Sequence, residues 1–308
     1  MRAGSVAEMR PPAALAVIAV ASVVIAACGG DDDSAATTAA ATTARSTVVD
    51  STSSPTSPPA SVPAVEVPAE APTELVVTVI TAGSGPEAAD GDSVFVNYVA
   101  VRSENGEEFD SNYGGIPVPI VLGAGSVIPG WEQGLQGAQA GERLQLDIPA
   151  DLAYGDRSPG GPIQPGDALS FVIDVLAVVP KADPAEGPTE ADVPVADEPA
   201  AEVVVEDLTA GEGDALEAGM AGVVHLVAAR GDTGELLRST WASGEPQTVV
   251  LDPDQLLEGL VEGLTGIKVG GRRAVTIPYA TLDEAVVANL ELPADTDLVV
   301  IVDLVALL

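Results

Sequence analysis

Aromatic residues are scarce in this chain. Among its 308 residues there are only two Trp, four Tyr and three Phe. Basic residues are scarce as well, because 12 Lys and Arg stand against 47 Asp and Glu, which gives a formal net charge of −35 at pH 7. A chain this acidic repels other polyanions, so charge-driven binding to nucleic acid or to an anionic lipid surface is excluded.

Histidine and cysteine occur once each, as His225 and Cys28. A single cysteine permits no internal disulfide, and the residue spacings that bind zinc do not occur. A Ser/His/Asp or Cys/His mechanism would have to use His225, which lies in a strand-like run with no cysteine near it. A structural or exposed strand histidine is the favoured interpretation, and we predict neither a metal site nor a cofactor.

The N-terminus carries two arginines, Arg2 and Arg10, followed by an apolar run over residues 13–27. This run is shorter than the roughly 20 residues that span a bilayer comfortably and is typical of a secretory signal. It ends in Ile-Ala-Ala-Cys-Gly around Cys28, which resembles the lipobox of bacterial lipoproteins. A plain signal peptide or an uncleaved anchor is the alternative. We predict a lipoprotein signal over residues 1–28, lipidation at Cys28, and anchoring at the outer face of the cytoplasmic membrane.

Two stretches poor in large apolar residues divide the rest of the chain. Residues 29–72 consist mainly of Ser, Thr, Ala, Pro and Asp and predict a disordered tether. Residues 181–200 are rich in Pro, Ala, Asp and Glu and predict an acidic linker that separates two folded regions. The remaining lengths, residues 73–180 and 201–308, each suffice for a domain with its own core.

Short strand patterns separated by turns fill the first region. Alternation places Val94, Val96 and Tyr98 on one face, which we expect to point inward. Asn105-Gly106 is a strong hairpin signal. Only residues 129–136 favour a helix, since a proline suits the first turn and apolar residues follow four apart. The predicted fold class is therefore α+β, an antiparallel sheet wrapped on one short helix.

Seven of the nine aromatic residues fall between residues 95 and 171, inside a series of short motifs. The clearest of these motifs are Phe109-Asp110-Ser111, Gly130-Trp131-Glu132, Ala153-Tyr154-Gly155 and the later Phe171. In their order and spacing, from about residue 75 to 179, they resemble the FKBP-type peptidyl-prolyl isomerases. A small aromatic core without catalytic purpose is the alternative.

The resemblance implies an enzyme that rotates the bond before proline by non-covalent binding, without a cofactor. It implies that Trp131 forms a platform under the proline ring. Catalytic roles are implied for Asp110 at the rim and for Tyr154, whose hydroxyl would donate to a substrate carbonyl. The other substrate-binding residues that it implies, with the backbone amide of Ile128 as a second donor, are Tyr98, Phe109, Val127, Ile128, Ile163 and Phe171. Macrolide ligands are a further expectation of the family.

Residues 201–308 repeat the first region at an offset of 128 to 129 residues. The repeat does not keep the aromatic set, since Leu or Val replaces each wall residue. The replacements are Leu226 for Tyr98, Leu237 for Phe109, Arg238 for Asp110, Leu260 for Trp131, Asp283 for Tyr154 and Val300 for Phe171. We predict a degenerate, inactive FKBP-like domain whose helix begins at Asp252, with Trp241 as either a partner contact or partial core.

The sequence therefore predicts a lipid-anchored peptidyl-prolyl isomerase with two FKBP-like domains, of which the first is active on X-Pro bonds. Its predicted partners are unfolded or exported polypeptides that contain proline, and the membrane through the lipid. A non-catalytic peptide-binding module or holdase is the first alternative. A purely structural envelope protein is the second.

Overall fold

The structure is a computed structural model that describes residues 45–47 and 62–308. The predicted signal sequence, Cys28 and most of the predicted tether lie outside the described residues. Within the described residues, no helix has the length and apolar character needed to cross a membrane. The chain forms two compact units, each built around its own sheet and core.

The first unit is an antiparallel sheet with one short α-helix, as predicted. Its strands are β1 (Arg45–Thr47), β2 (Val76–Thr81), β3 (Ser93–Arg102), β4 (Glu108–Ser111), β5 (Val118–Val121), β6 (Arg143–Ile148) and β7 (Leu169–Val179). Their order is β1-β2-β6-β7-β3-β4, β5 also pairs with β3, and the β1–β2 pair alone among them is parallel. The helix α1 covers Pro129–Gly134, close to the predicted span.

Glycines let α1 lie directly on the sheet. A methyl group at Gly134 would come within 2.8 Å of the Leu146 side chain, and one at Gly130 would overlap Ile148. Leu146 and Ile148 are both fully buried on β6. Val94 and Val96 are fully buried in the same core, and Tyr98 packs against it, so the predicted inward face of β3 is confirmed.

The second unit repeats the first sheet strand for strand. Its strands are β8 (Val204–Thr209), β9 (Ala221–Arg230), β10 (Leu236–Ser239), β11 (Gln247–Val250), β12 (Arg272–Ile277) and β13 (Leu298–Leu307). The order β10-β9-β13-β12-β8, with β11 on β9, matches the order of the first sheet without β1. The helix α2 (Glu258–Leu264) lies on β12 through Gly263, where a methyl group would overlap Val275.

The second unit departs from the sequence prediction at its helices. The helix expected to begin at Asp252 begins at Glu258 instead. Asp252 closes a turn, because its Oδ1 accepts a hydrogen bond from Asp254 N and its carbonyl accepts one from Gln255 N. An aspartate that bonds the amide two residues later favours a turn as readily as a helix start. A further helix, α3 (Glu284–Leu290), was not predicted.

Part of the predicted linker packs on the second unit, which begins at Glu186. Two one-turn 3-10 helices, Pro184–Glu186 and Glu190–Asp192, lie in it, and a capping box between Thr189 and Asp192 holds the second. Val193 is 94% buried on the outer face of the second sheet. Its neighbours there are Ala229, Ala274, Val299 and Ile301.

Candidate active site

Four aromatic side chains from four elements form a cage in the first domain. Trp131 on α1 meets Tyr98 on β3 edge to face, with ring centroids 5.2 Å apart and planes at 88°. Phe171 on β7 meets Trp131 at 5.3 Å and 90°. Phe109 on β4 completes the set at 6.0 Å and 90° from Phe171. Edge-to-face packing is the geometry that the charge distribution of aromatic rings favours. Each ring therefore fixes the orientation of the next.

Trp131 lies at the bottom of this cage, and the residue is 95% buried. Its position follows from the helix, because Trp131 N donates to Ile128 O at 2.9 Å and Leu135 N donates to Trp131 O at 2.9 Å. Glu132 secures the chain segment that leads into α1, since its two carboxylate oxygens accept hydrogen bonds from Gly123 N and Gly125 N. Trp131 is thus fixed by the hydrogen bonds of α1 and by the bonds of Glu132 to the segment before the helix.

The rim of the cage carries a hydrogen-bonded pair, Tyr98 and Asp110. The Tyr98 hydroxyl donates to Asp110 Oδ2 at 2.6 Å. Burial and this carboxylate together raise the pKa of Tyr98 well above its ordinary value of 10. Tyr98 therefore remains a protonated donor at every physiological pH, and its proton is already committed to Asp110.

Two donors at the site are left for a ligand. The Tyr154 hydroxyl, on a side chain that is 39% exposed, donates to no acceptor within the described part of the chain. The backbone amide of Ile128 likewise has no acceptor among the described residues. Burial, and then the charge of Asp110, raise the pKa of Tyr154, so its hydroxyl keeps its proton.

Ile163 lies in a loop that returns to the aromatic cage, and it is 94% buried in the same cluster as Trp131 and Phe171. Val127 packs half-buried on that cluster. The structure thus brings together all nine site residues that the resemblance implied, seven from the aromatic cluster and its walls and two at the rim. Cys28, the predicted lipidation site, lies outside the described residues.

An ion pair that sequence reasoning missed fixes the loop carrying Ile163. Arg102 at the end of β3 binds Asp167 with two hydrogen bonds, of 2.7 Å from Nε and 3.1 Å from Nη2. Asp167 Oδ2 also accepts a hydrogen bond from Gln164 N at 2.7 Å. The Arg102 guanidinium holds the pKa of Asp167 below its usual range. Partners 65 residues apart leave no local pattern that would have revealed the pair.

The corresponding region of the second domain is filled by protein. Val286 and Leu290 of α3, followed by Leu292, are buried in one cluster with Leu260 and Leu226, which replace Trp131 and Tyr98. Arg238, in the place of Asp110, donates to the backbone carbonyl and to Oδ1 of Asn289 on α3. The helix therefore covers the surface where the first domain has its aromatic cage.

His225 belongs to the fold of the second domain. It is 98% buried, its Nδ1 lies 3.1 Å from Thr240 Oγ1, and its ring lies 4.7 Å from that of Trp241. The Arg272 guanidinium covers Trp241 at 5.5 Å from the ring centre. The structural interpretation of His225 is confirmed, and Trp241 is partial core. Within the described residues, no three His, Cys, Asp or Glu side chains are placed to hold a metal ion.

Comparison with known proteins gives matches for both domains. Residues 85–176 and 210–305, together more than half of the chain, match the family model described as FKBP-type peptidyl-prolyl cis-trans isomerase. A protein named FK506-binding protein from Streptomyces anulatus is 50% identical over 111 residues, which cover 35% of this chain and 90% of that protein. The probable FK506-binding protein of Corynebacterium glutamicum is 41% identical over 117 residues, or 37% of this chain and 97% of that protein. Peptidyl-prolyl cis-trans isomerase FPR2 of Saccharomyces cerevisiae is 43% identical over 93 residues, which cover 30% of this chain and 69% of that protein.

Proposed function

The chain belongs to the family of FKBP-type peptidyl-prolyl cis-trans isomerases, and we propose that its activity resides in the first domain and acts on X-Pro bonds of exported proteins. The observation that carries this assignment is the aromatic cage on Trp131, with a free hydroxyl at Tyr154 beside it. The second domain has leucine at the floor position and carries α3 over it, so we assign it no isomerase activity.

The cage accelerates rotation by favouring the twisted amide over the planar one. Rotation about a peptide bond faces a barrier of about 18 to 20 kcal/mol, because conjugation between nitrogen and carbonyl must be broken. The twisted amide loses that charge separation, so it is less dipolar than the planar form. Rings of Trp131, Phe171 and Phe109 replace water around the bond and therefore disfavour the planar, dipolar state. Each tenfold gain in rate requires only about 1.4 kcal/mol of this preference.

The polar groups at the mouth orient the substrate. Because the Tyr98 proton is committed to Asp110, the hydroxyl that can donate to a substrate carbonyl is that of Tyr154. The free amide of Ile128 gives a second, fixed donor on the adjacent chain segment. Together these two donors orient the peptide through hydrogen bonds to its carbonyl groups.

The experiment that tests the assignment measures exchange between the cis and trans forms of a proline tetrapeptide by NMR, with the full chain as catalyst. Tyr154→Phe removes the donor hydroxyl and keeps the ring, so it should slow catalysed exchange by about tenfold, the effect of one lost hydrogen bond in the transition state. Tyr113→Phe is the matched control, since the Tyr113 hydroxyl donates to Asp174 outside the cage. Exchange at the uncatalysed rate with a folded wild-type chain would replace the enzyme with the peptide-binding alternative.

The proposed location is the outer face of the cytoplasmic membrane, with Cys28 carrying the lipid. Support comes from the apolar run that ends at Ile-Ala-Ala-Cys-Gly and from the polar stretch that follows it. A two-chain lipid anchors stably where one chain is marginal. Cys28→Ser should release the protein into the medium or leave an unprocessed precursor. Processed protein of the mutant that still needs detergent for extraction would overturn the proposal.

The first domain is also proposed to bind the macrolide FK506, for which two of the relatives are named. A bulky apolar ligand would occupy the cage on Trp131 in place of proline. Added FK506 should then inhibit catalysed exchange and quench Trp131 fluorescence in a Trp241→Phe variant. Undisturbed exchange at saturating FK506 would contradict the proposal.

A further inference from the structure

A cavity of about 630 Å³ opens in the second domain at the start of α2. Its apolar lining comes chiefly from Val203, Leu257, Ile277, Leu282 and Val286. Its polar lining includes five carboxylates, on Glu202, Asp254, Glu258, Glu262 and Asp283. No Lys, Arg or His lies among the lining residues. We call this cavity, defined by these ten side chains, the acidic groove.

Within the described part of the chain, the five carboxylates have no cationic partner. None of them forms an ion pair or a side-chain hydrogen bond with Lys or Arg within the described part of the chain. All five residues are exposed to solvent. Five uncompensated negative charges around one concave surface raise the local concentration of cationic ligands.

The carboxylates are spread along the acidic groove rather than gathered at one point. Among the described residues, no three acidic side chains lie close enough together to hold a metal ion. A row of separate charges is matched by a ligand with several separate cations, such as a polypeptide with Lys or Arg side chains. The volume lies within the range of pockets that bind ligands, about 300 to 1,000 Å³.

The chain itself is a poor source of that ligand. It has 12 basic residues against 47 acidic ones, so a second copy would be repelled by its net charge of −35. The occupant is therefore a different polypeptide with an excess of basic residues.

The acidic groove lies beside the position that corresponds to the mouth of the aromatic cage in the first domain. Leu256 and Leu257, which border it, take the places of Val127 and Ile128 at the mouth of the first domain. Asp283, also at its border, takes the place of Tyr154, so a carboxylate that accepts replaces a hydroxyl that donates. Since α3 covers the floor position at Leu260, a bound chain is displaced to the neighbouring surface.

We propose that the acidic groove of the second domain binds extended polypeptide segments in which basic and apolar side chains alternate. Successive side chains of an extended chain point to opposite sides, so one set meets the apolar lining while the other reaches the carboxylates. This binding requires no proline and no isomerase activity. It stands or fails independently of the function proposed for the first domain.

The test uses the full chain and a fluorescein-labelled, proline-free peptide of lysine, leucine and glycine, with binding followed by fluorescence anisotropy. The groove variant combines Asp254→Asn, Glu258→Gln and Glu262→Gln. The charge-matched control combines Glu212→Gln, Asp214→Asn and Glu217→Gln, exposed residues of the β8–β9 connection that do not line the cavity. The groove variant should bind about tenfold more weakly, the combined effect of three partly exposed ion pairs, while the control stays near wild type.

Two changes in the peptide test the two parts of the lining separately. Glutamate in place of lysine should abolish binding, and serine in place of leucine should weaken it several-fold. Equal losses in the groove variant and its control, or equal affinity for the serine peptide, would show unspecific charge attraction and overturn the proposal. So would the absence of binding to the lysine–leucine peptide. Catalysed exchange of a proline tetrapeptide, measured on the same groove variant, should stay at the wild-type rate.

Discussion

The Tyr98 hydroxyl donates a hydrogen bond to Asp110 Oδ2 at 2.6 Å, while the ring of Tyr98 packs perpendicular to that of Trp131, with 5.2 Å between centroids. One side chain thus links the apolar floor of the cage to the charge at its rim. A carboxylate on an exposed strand residue would otherwise sample several orientations. The hydrogen bond from Tyr98, together with one from Ser111 N to Oδ1, fixes the orientation of this carboxylate at the rim of the cage.

Removing this link should lower activity while the fold survives. Tyr98→Phe keeps the ring contacts and deletes one hydrogen bond to a partly solvated carboxylate, so we expect kcat/KM to fall about three- to tenfold and the melting temperature to change by only a few degrees. Asp110→Asn should have an effect of similar size. If the two groups act as a pair, the double variant should lose little more than either single one. Fully multiplicative losses, measured by NMR exchange, would show that they act separately.

The residue at the floor of the cage differs between the two domains, with Trp131 in the first and Leu260 in the second. Trp131→Leu imitates Leu260 and removes the flat ring on which a proline would lie, so catalysed exchange should fall at least tenfold, and proline-peptide affinity should fall with it. The helix should persist, because Leu135 remains fully buried beside it.

The matched control for Trp131→Leu is Leu260→Ala. This change creates a cavity under α2 and should destabilise the second domain by about 2 to 5 kcal/mol. It should leave the exchange rate of the proline peptide intact at temperatures where the chain is folded. A comparable loss of activity in Leu260→Ala would contradict the division of labour between the domains.

The strands and the first helix could be predicted because their signals are local. The alternation of Val94, Val96 and Tyr98 and the turn signal at Asn105-Gly106 depend only on neighbours in the sequence. The aromatic rings could be assigned to one site because their motifs keep a family spacing. In the first case the information lies within a few residues, and in the second it lies in the order and spacing of motifs between about residues 75 and 179.

The features that were missed depend on contacts distant in sequence. Arg102 and Asp167 look like ordinary surface charges until the fold brings them within 2.7 Å. Val193 and Val195 lie two apart in an acidic stretch, and nothing in their surroundings predicts that Val193 is buried on the second sheet while Val195 stays exposed. The helix α3 is the exception among the missed features, because its signal is local: Val286 and Leu290 are four apart and form an apolar stripe.

Burial of His225 should make the second domain sensitive to acid. Burial lowers the pKa of His225 from its ordinary 6.5 to about 4. As the pH falls, the unfolded chain therefore takes up a proton before the folded one. The contribution of His225 to the free energy of unfolding should be at its maximum above about pH 6.5 and should decrease by about 3 kcal/mol in all as the pH drops toward 4. Arg272 and Asp303 are the charged groups on the adjacent strands, and they bind each other at 2.6 Å.

The control for this pH dependence is His225→Asn, which places the residue of the first copy, Asn97, at this position. In a Trp131→Phe background Trp241 is the single tryptophan, so its fluorescence reports unfolding of the second domain alone. Burial raises the pKa of Asp303, which favours the folded state as the pH falls, but this contribution is common to both proteins. Identical pH profiles for the two would show that His225 does not titrate in this range.

Arg102 should act on substrate binding through the loop that carries Ile163. Its two hydrogen bonds to Asp167, and the bond from Gln164 N to the same carboxylate, hold the end of that loop 1 to 4 residues from Ile163. Arg102→Met keeps the apolar part of the side chain and removes the guanidinium. The loop should then become mobile, and Ile163 should lose its fixed place beside Phe171.

The expected signature of Arg102→Met is a split between the kinetic constants. KM for a proline tetrapeptide should rise about five- to tenfold, because Ile163 positions the proline ring of the substrate. The groups at the rotating bond are unchanged, so kcat should stay within about twofold. Arg102→Lys should recover only part of the loss, since an ammonium cannot make the two parallel bonds that the guanidinium makes. Arg230→Met is the matched control, because Arg230 pairs with Asp232 and Glu235 on the second domain. A fall in kcat at constant KM would place Arg102 in the catalytic step, and an unchanged KM with a lower melting temperature would limit it to stability.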